Sequence, residues 1–261
     1  MDFQLQNKTV FVSGSYRGTG HTIAERFVSE GARVIVHAHE PDQLATLDLS
    51  PFAGSVVGDL GTQAGMASVI DQIVTEYATL DVLVNNYGIA MGGNLEQLSY
   101  EDWHAMYDHN LVSVAQLSTQ LLPLLKQSSQ GRIIHLGTIG STRPNARMPH
   151  YYAAKGALAN FTVSLAKTLK GTGITCNLVS PGLIRTPEVE ARFTETAKKR
   201  GWGETFEQAE AILTETYFDN PLERFATRDD VAAAALFLAS AEAGFINAQN
   251  LRIDGGALDI V

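Results

Sequence analysis

The chain is predicted to fold as one α/β domain in which a doubly wound parallel sheet of seven strands is flanked by helices. Short β-branched runs alternate with longer segments of helical period, which is typical of βαβ units. The runs lack the polar alternation of a sheet with one wet face, so helices are expected on both faces. The length of 261 residues suits one such domain and is short for two.

Seven runs are predicted as strands because β-branched and large apolar residues dominate them. In chain order they cover residues 9–12, 34–36, 55–57, 82–84, 132–136, 174–179 and 251–253. Between the first two, apolar residues recur at helical spacing from Ile23 to Val28, and Gly31 ends the predicted helix. These elements make up the first βαβ unit.

Two later helices have recognisable starts. Ser99 with Asp102, and Thr227 with Asp230, have the spacing of a capping box, in which a hydroxyl and an acid bind the free backbone amides of a helix. These residues are therefore predicted to be structural.

Residues 187–220 depart from the regular α/β rhythm of the single domain, 1–261. Two stretches of helical pattern are separated there by Gly201-Trp202-Gly203. Because the segment follows the sixth predicted strand, where ligands bind in open α/β sheets, it is predicted to be a helical substrate lid at about 187–220. The alternative is a peripheral insertion that never touches substrate.

Composition and charge narrow the class of protein. The 28 acidic residues against 19 Lys and Arg give a net charge of −9, which argues against a nucleic-acid partner or an anionic membrane surface. The single cysteine, Cys176, calls for no oxidising compartment, and no apolar run approaches the ~20 residues of a membrane span. A cytoplasmic protein that acts on a small molecule is expected, and no metal site is assigned.

A glycine-rich turn follows the first predicted strand, with Gly14, Gly18 and Gly20 leading directly into a helix. Free amides and the positive end of a helix dipole bind anions, most simply a dinucleotide pyrophosphate. The spacing Gly-x-x-x-Gly-x-Gly meets the Gly-x-Gly-x-x-Gly fingerprint of the Rossmann fold only in part. The alternative is a glycine-rich corner that binds no ligand.

Tyr151 and Lys155 lie four residues apart in a segment of helical period, so they share one helix face. A nearby ammonium favours the phenolate and lowers the pKa of a phenol from its usual value of about 10. Such a tyrosine suits general acid or base chemistry. The same spacing is common on ordinary helix surfaces, so the pair needs support from other motifs.

That support comes from the combination of motifs, which resembles the short-chain dehydrogenase/reductase family. The motifs occur in the family's order, namely the glycine-rich turn, Asn85-Asn86-Tyr87-Gly88, Asn110, a hydroxyl residue after the fifth strand, Tyr151 with Lys155, and the stretch from Ser180-Pro181-Gly182 to Thr186. The resemblance spans essentially the whole chain, to Asp254-Gly255-Gly256.

Two positions depart from the family pattern. The catalytic hydroxyl of the family is usually a serine thirteen residues before the tyrosine, and Thr138 stands there. Threonine makes the same hydrogen bonds, but its methyl group occupies space. Ser141 is the rival hydroxyl, although its spacing does not match the family. Tyr87 stands where the family usually has alanine, which places a large ring beside the cofactor path.

The resemblance implies a catalytic set of Asn110, Thr138, Tyr151 and Lys155. Tyr151 would exchange a proton with the substrate oxygen, and Lys155 would lower its pKa and bind the nicotinamide ribose. Thr138 would hold the substrate oxygen, and Asn110 would anchor a water that leads protons to Lys155. His135 and His150 have no placed partner in the sequence and are predicted to be structural.

The resemblance also implies a nicotinamide cofactor, with NADP predicted and NAD as the alternative. Arg17 and His39 stand where NADP users often place bases, and Ala38 stands where NAD users carry aspartate. Glu40 keeps NAD open, because an acid so close to the strand end can reach a ribose. Asp59 resembles the residue that binds the adenine amino group, although an ordinary loop cap is the alternative. The predicted cofactor contacts are Gly14, Ser15, Arg17, Gly18, Thr19, Gly20, His39, Asp59, Leu60, Asn86, Gly88, Tyr151, Lys155, Pro181, Gly182, Ile184 and Thr186.

The predicted function is the NADP(H)-dependent interconversion of a ketone and a secondary alcohol by hydride transfer, with Tyr151 as general acid and base. Two alternatives stay open: epimerase or dehydratase chemistry on the same scaffold, and a cofactor-binding protein without activity.

The family usually assembles, so a homotetramer is predicted, with a homodimer second. The candidate interface lies on two long helices that carry apolar residues at helical spacing, and the alternative is that these residues cover the sheet. They are Leu117, Leu121 and Leu125 on one helix and Ala157, Phe161 and Leu165 on the other.

Overall fold

The computed structural model, which describes residues 2–260, contains one sheet of seven parallel strands, and this confirms the predicted fold class. The strands are β1 (Thr9–Val12), β2 (Arg33–Ala38), β3 (Gly54–Val57), β4 (Val82–Asn85), β5 (Arg132–Leu136), β6 (Thr175–Pro181) and β7 (Asn250–Ile253). Their spatial order is β3-β2-β1-β4-β5-β6-β7, so the winding reverses between β1 and β4. A crevice for ligands is expected at the carboxyl ends of these two strands.

The helices alternate with the strands as predicted. They are α1 (Gly18–Ser29), α2 (Pro41–Leu44), α3 (Gln63–Glu76), α4 (Tyr100–Tyr107), α5 (Ser113–Gln120), α6 (Leu122–Leu125), α7 (Pro149–Thr168), α8 (Pro187–Arg200), α9 (Phe206–Thr216) and α10 (Arg228–Ala239). A π-helical turn at Asp108–Val112 joins α4 to α5, and a 3₁₀ turn at Ile139–Ser141 follows β5. Both predicted capping boxes are present, at the starts of α4 and α10. No helix within residues 2–260 combines the length and the apolar character that a membrane crossing requires.

The core consists of two apolar layers, one on each face of the sheet. Val10 and Val12 of β1 pack in the layer that includes residues of α1 and α10, whereas Phe11 packs in the layer that includes residues of α3 and α5. Successive side chains of a strand point to opposite faces, so a strand covered on both sides must be apolar throughout. This explains why the predicted strands lack polar alternation.

The predicted interface on α5 and α6 is wrong for its three leucines. Leu117, Leu121 and Leu125 are fully buried in the core layer that covers the sheet, and Leu165 of α7 lies in the same layer. A helix that covers a sheet turns its apolar stripe inward, so this stripe is not available to a second chain.

Residues 187–220 contain the two predicted helices, α8 and α9. Helix α8 ends at Arg200 and is capped by Gly201, whose φ of +70° lies in the left-handed region that favours glycine. The two helices pack on each other through a small apolar cluster that includes Ala197, Phe206 and Leu213. Phe206 is thus buried in this cluster, which also includes Phe225 beyond the segment.

Candidate active site

A cavity of about 140 Å³ lies at the carboxyl ends of the central strands, beside the point where the winding reverses. Eight predicted site residues line it, namely Thr19, Asn86, Gly88, Asn110, Tyr151, Lys155, Pro181 and Ile184. Four further residues line it that were not predicted, Ile89, Ala90, Leu136 and Gly137. All four lie at the end of β4 or β5 or just after it, where the rule for open α/β sheets places ligands. That rule, applied to the strand ends, would have found them.

The side chain of Lys155 is held by the last residue of β5. Its side chain is buried, with the residue 4% exposed, and Nζ donates to the carbonyl of Leu136 at 2.8 Å. Burial lowers the pKa of Lys155 to about 8, because an ammonium loses hydration there. The charge of this group therefore changes near the upper end of the physiological pH range.

The expected lowering of the pKa of Tyr151 by Lys155 is not found. Burial raises the pKa of Tyr151 above its usual value, and the neighbouring Tyr152 adds to the rise. Burial is the larger of the two causes and decides the direction of the shift. Tyr151 is thus a protonated phenol at neutral pH.

Asn110 lies in the π-helical turn, a feature that is frequent at functional sites. Its Nδ2 donates to the carbonyls of Ile89, at 2.9 Å, and Met106, at 3.0 Å. Its Oδ1 is buried and has no hydrogen-bond partner within residues 2–260. A buried acceptor without a donor is typically satisfied by water, and this one lies at the cavity.

Thr138 and Ser141 use their hydroxyls in the 3₁₀ turn. Thr138 Oγ1 accepts the N–H of Gly140 at 3.2 Å, and the Ser141 hydroxyl donates to the Thr138 carbonyl at 2.8 Å. Neither residue belongs to the cavity lining. Thr138 still has its O–H to donate, whereas the Ser141 proton is already engaged.

The glycine turn has the shape that a dinucleotide pyrophosphate requires. Gly14 and Gly18 have φ near +60°, and a Cβ at Gly20 would lie 2.4 Å from Asn86 Nδ2. Helix α1 begins at Gly18, so its first amides have no helical acceptor and can bind an anion. The donor set therefore fits the predicted cofactor.

Two residues hold this turn in place. The N–H of Gly14 donates to Nδ1 of His37 at 2.9 Å, and burial lowers the pKa of His37 to about 4, so the ring stays neutral. Ser15 donates to the Val12 carbonyl at 2.7 Å and accepts the N–H of His37 at 2.9 Å. Ser15 was predicted to contact the cofactor, but its hydroxyl proton is already donated to Val12. The side chain therefore stabilises the turn itself. The structural role of His37 was not predicted from the sequence, because its partner Gly14 lies 23 residues away along the chain.

Bases and acids surround the end of β2, where the adenosine part of a dinucleotide is expected. Arg17 is exposed, and its Nη1 lies 3.6 Å from Oε1 of Glu188, a surface pair that contributes little stability. His39 Nδ1 lies 3.5 Å from Asp59 Oδ1. Glu40 is the N-cap of α2, and its backbone N–H donates to Oε1 of Gln43 at 3.4 Å.

The remaining predicted contacts are placed as follows. Asp59 Oδ1 accepts the N–H of Gly61 at 2.9 Å, so the residue does act as a loop cap. The Leu60 side chain is buried in the core, which leaves only its backbone for a ligand. The N–H of Gly182 donates to the Ile253 carbonyl at 2.9 Å, and Thr186 caps α8.

The two histidines predicted to be structural lie outside the cavity lining. His135 is fully buried, with Nδ1 2.9 Å from Thr162 Oγ1 and Nε2 3.3 Å from Ser118 Oγ. Burial lowers the pKa of His135 to about 3. His150 is buried beside Trp103.

Known proteins match this chain over nearly its whole length. A family model described as enoyl-(acyl carrier protein) reductase matches residues 14–257. The 3-oxoacyl-(acyl-carrier-protein) reductase FabG of Haemophilus influenzae is 33% identical over 256 residues, which cover 97% of this chain and 98% of that protein. The short-chain reductase NovJ of Streptomyces niveus is 30% identical over 256 residues, which cover 96% of this chain and 94% of that protein.

Solved structures agree with the fold. L-sorbose reductase from Gluconobacter frateurii, complexed with NADPH and L-sorbose, superposes with a TM-score of 0.92 and 27% identity over the full length of both chains. Ligand-free aldohexose dehydrogenase from Thermoplasma acidophilum has a TM-score of 0.84 and 30% identity, covering 100% of this chain and 99% of that chain.

The parallel sheet, the glycine turn and the cavity with its Tyr–Lys pair define an oxidoreductase that uses a nicotinamide dinucleotide. Together with the matching family model and relatives, they show that the chain belongs to the short-chain dehydrogenase/reductase family. The predicted cofactor, NADP, agrees with the NADPH named in the sorbose reductase complex.

Proposed function

We propose that the chain is an NADPH-dependent reductase that converts a ketone into a secondary alcohol. The observation that carries this proposal is the convergence of Asn110, Tyr151 and Lys155 on one cavity with Thr19 of the glycine turn. A proton donor, a buried cation and a dinucleotide-binding turn thus meet at the edge of the sheet where ligands bind.

The residues of this chain divide the work as follows. The glycine turn would hold the pyrophosphate, and Arg17 with His39 would hold the adenosine phosphate that distinguishes NADP. Bound NADPH supplies the hydride. Tyr151, whose phenol stays protonated because burial raises its pKa, donates its proton to the substrate oxygen.

Lys155 and Asn110 resupply that proton. The Lys155 ammonium is fixed by the Leu136 carbonyl, and the unpartnered Asn110 Oδ1 is placed to hold a water near it. A Cβ at Gly88 would lie 2.6 Å from Asn110 Oδ1 and 3.3 Å from Lys155 Nζ, so both polar atoms adjoin one residue. Thr138 would orient the substrate oxygen through its remaining O–H.

The segment 187–220 would act as the substrate lid of the same site. Arg185 follows Ile184, which lines the cavity, and its guanidinium binds the carboxylates of Glu190 in α8 and Glu207 in α9. Both lid helices are therefore tied to the loop that borders the cavity. A movement of the lid would therefore displace Ile184 as well.

Turnover of purified protein tests this function. NADPH or NADH is mixed with carbonyl compounds that include a 3-oxoacyl thioester and L-sorbose, and nicotinamide absorbance is followed. We expect net NADPH oxidation with at least one ketone, preference for NADPH, and loss of turnover by roughly two to four orders of magnitude in Tyr151→Phe. NADPH affinity should change little, because the ring remains.

Other outcomes separate the alternatives. Tyr152→Phe is the matched control, since Tyr152 is the adjacent tyrosine and lies outside the cavity lining. Product formation without net cofactor oxidation would indicate epimerase or dehydratase chemistry. NADPH binding without any turnover would indicate a scaffold without activity, and normal turnover in Tyr151→Phe would remove Tyr151 from the mechanism.

A further inference from the structure

Tyr87, in the loop after β4, bridges two parts of the site that the proposed mechanism does not connect. Its ring is 5% exposed and packs in the core layer with Leu60 and Leu117. Its hydroxyl lies 2.6 Å from Nδ1 of His109, in the π-helical turn, and 3.4 Å from Oδ1 of Asp59, after β3. One side chain thus joins the adenosine end of the site to the turn that carries Asn110.

The phenol of Tyr87 keeps its proton, because burial and the neighbouring Asp59 raise its pKa. Its 2.6 Å contact to Nδ1 of His109 is a short hydrogen bond, whereas the 3.4 Å contact to Oδ1 of Asp59 is long for an O–H···O bond. Which of Tyr87 and His109 donates in the short bond follows the tautomer of His109. With either tautomer, the Tyr87 hydroxyl lies between His109 and Asp59 and links them.

The π-helical turn is held to the loop after β4 at two adjacent residues. His109 binds Tyr87 through its ring, and Asn110 Nδ2 donates to the carbonyl of Ile89. Gly88, between these two loop positions, adjoins Asn110 Oδ1. The position of the Asn110 amide therefore depends on the bond made by its neighbour.

The other end of the bridge reaches the residues expected around adenine. Asp59 Oδ1 lies 3.5 Å from His39 Nδ1, and the His39 and Tyr87 ring centroids are 5.0 Å apart. A Cβ at Gly61 would lie 2.1 Å from Cε1 of His109, so the ring packs here only because residue 61 is glycine. The loop after β3 therefore packs directly against His109 at Gly61.

We propose that Tyr87 and His109 are positioning residues that couple the adenine end of the cofactor site to Asn110. Binding of adenine at Asp59 and placement of the Asn110 amide then support each other through two hydrogen bonds. This coupling rests on the proposed function, because it assumes that Asp59 receives the adenine of NADPH.

Tyr87→Phe removes the hydroxyl and keeps the ring that fills the core. We expect the Kd for NADPH, measured by fluorescence titration, to rise roughly three- to tenfold, which is the usual worth of one hydrogen bond. In cofactor-free protein, amide exchange in residues 108–112 should become faster, and kcat at saturating NADPH should fall by a similar factor.

Matched variants separate positioning from packing. Tyr77→Phe is the control, because Tyr77 is a buried tyrosine of the same core layer whose hydroxyl has no partner within residues 2–260. It should leave the affinity and the exchange unchanged. His109→Ala should reproduce Tyr87→Phe, and the double variant should lose no more. His109→Asn, whose amide can donate or accept a hydrogen bond near the Nδ1 position, should restore most of the affinity.

Three results would overturn the coupling. Unchanged Kd and unchanged exchange in Tyr87→Phe would mean that the hydroxyl is idle, and faster exchange with an unchanged Kd would mean that the two ends are independent. Equal effects in Tyr77→Phe would reduce the role to general packing. If the unmodified protein bound NADPH and reduced no ketone, the proposed function would fail while the affinity and exchange measurements still decided the coupling.

Discussion

The ammonium of Lys155 is buried, where a charge is unfavourable. The free energy of unfolding should therefore depend on pH. Its pKa falls from 10.5 to about 8 in the folded chain because of burial. At 1.36 kcal/mol per pKa unit, the charged form of Lys155 is less favourable than the neutral form in the folded chain by about 3 kcal/mol. The group is thus retained at the expense of stability, as expected for a functional site.

Lys155→Met is therefore predicted to abolish turnover and to raise the free energy of unfolding by about 1–3 kcal/mol at pH 7. Between pH 8 and 10.5 the unfolded chain binds more protons at Lys155 than the folded chain, so the unmodified protein gains stability as pH rises. The advantage of methionine is greatest below pH 8 and disappears above 10.5.

Urea unfolding at pH 7 and pH 10 measures this difference. Lys167→Met is the control, because Lys167 lies on the same helix and is exposed, and it should show no such pH dependence. A Lys155→Met variant that is less stable than the unmodified protein at pH 7 would contradict the assigned cost of burial.

Among the elements, the pair α8 and α9 forms a unit with its own apolar cluster. Phe206 is the centre of that unit, since its ring lies edge-on to Phe225 with centroids 5.7 Å apart and beneath the Arg185 guanidinium at 4.4 Å. Arg185 in turn connects the unit to the cavity border. A change at Phe206 is therefore expected to affect the substrate site, although this residue does not line the cavity.

Phe206→Ala is predicted to loosen the unit and to raise the KM for substrate several-fold more than the KM for NADPH. Loss of a buried aromatic ring typically costs about 3–5 kcal/mol, which here falls on the local packing of α8 and α9. Hydrogen exchange in residues 187–216 should accelerate while the central strands stay protected. Leu222→Ala, at an exposed position, is the control. A substrate KM that does not move would make the segment a peripheral insertion.

For the molecule as a whole, the structure changes which residues are available for assembly. With Leu117, Leu121 and Leu125 committed to the core, the apolar side chains left exposed on the neighbouring turn and on α7 are Val112 and Val163. A homotetramer is still predicted, with a homodimer second. Light scattering at several concentrations should give about four times the chain mass of 28.2 kDa, and a constant monomer mass would contradict this.

The sequence by itself determined the fold class and most of the cavity lining. Strand runs such as 9–12 and 132–136 are recognisable because a strand buried on both faces must be apolar throughout, and this signal is local. Gly18, Gly20, Tyr151 and Lys155 were predictable for a similar reason, since the turn and the helix face need particular residue types at fixed spacing.

Only the tertiary structure decided how distant side chains meet. The bonds from Lys155 to Leu136 and from Tyr87 to His109 join residues that are 19 and 22 positions apart, and no periodicity relates them. The direction of the pKa shift of Tyr151 also depended on packing, because burial is its largest cause. The inward stripe of α5 was equally undetermined, since one apolar helix face suits a sheet or a second chain until the neighbours are known.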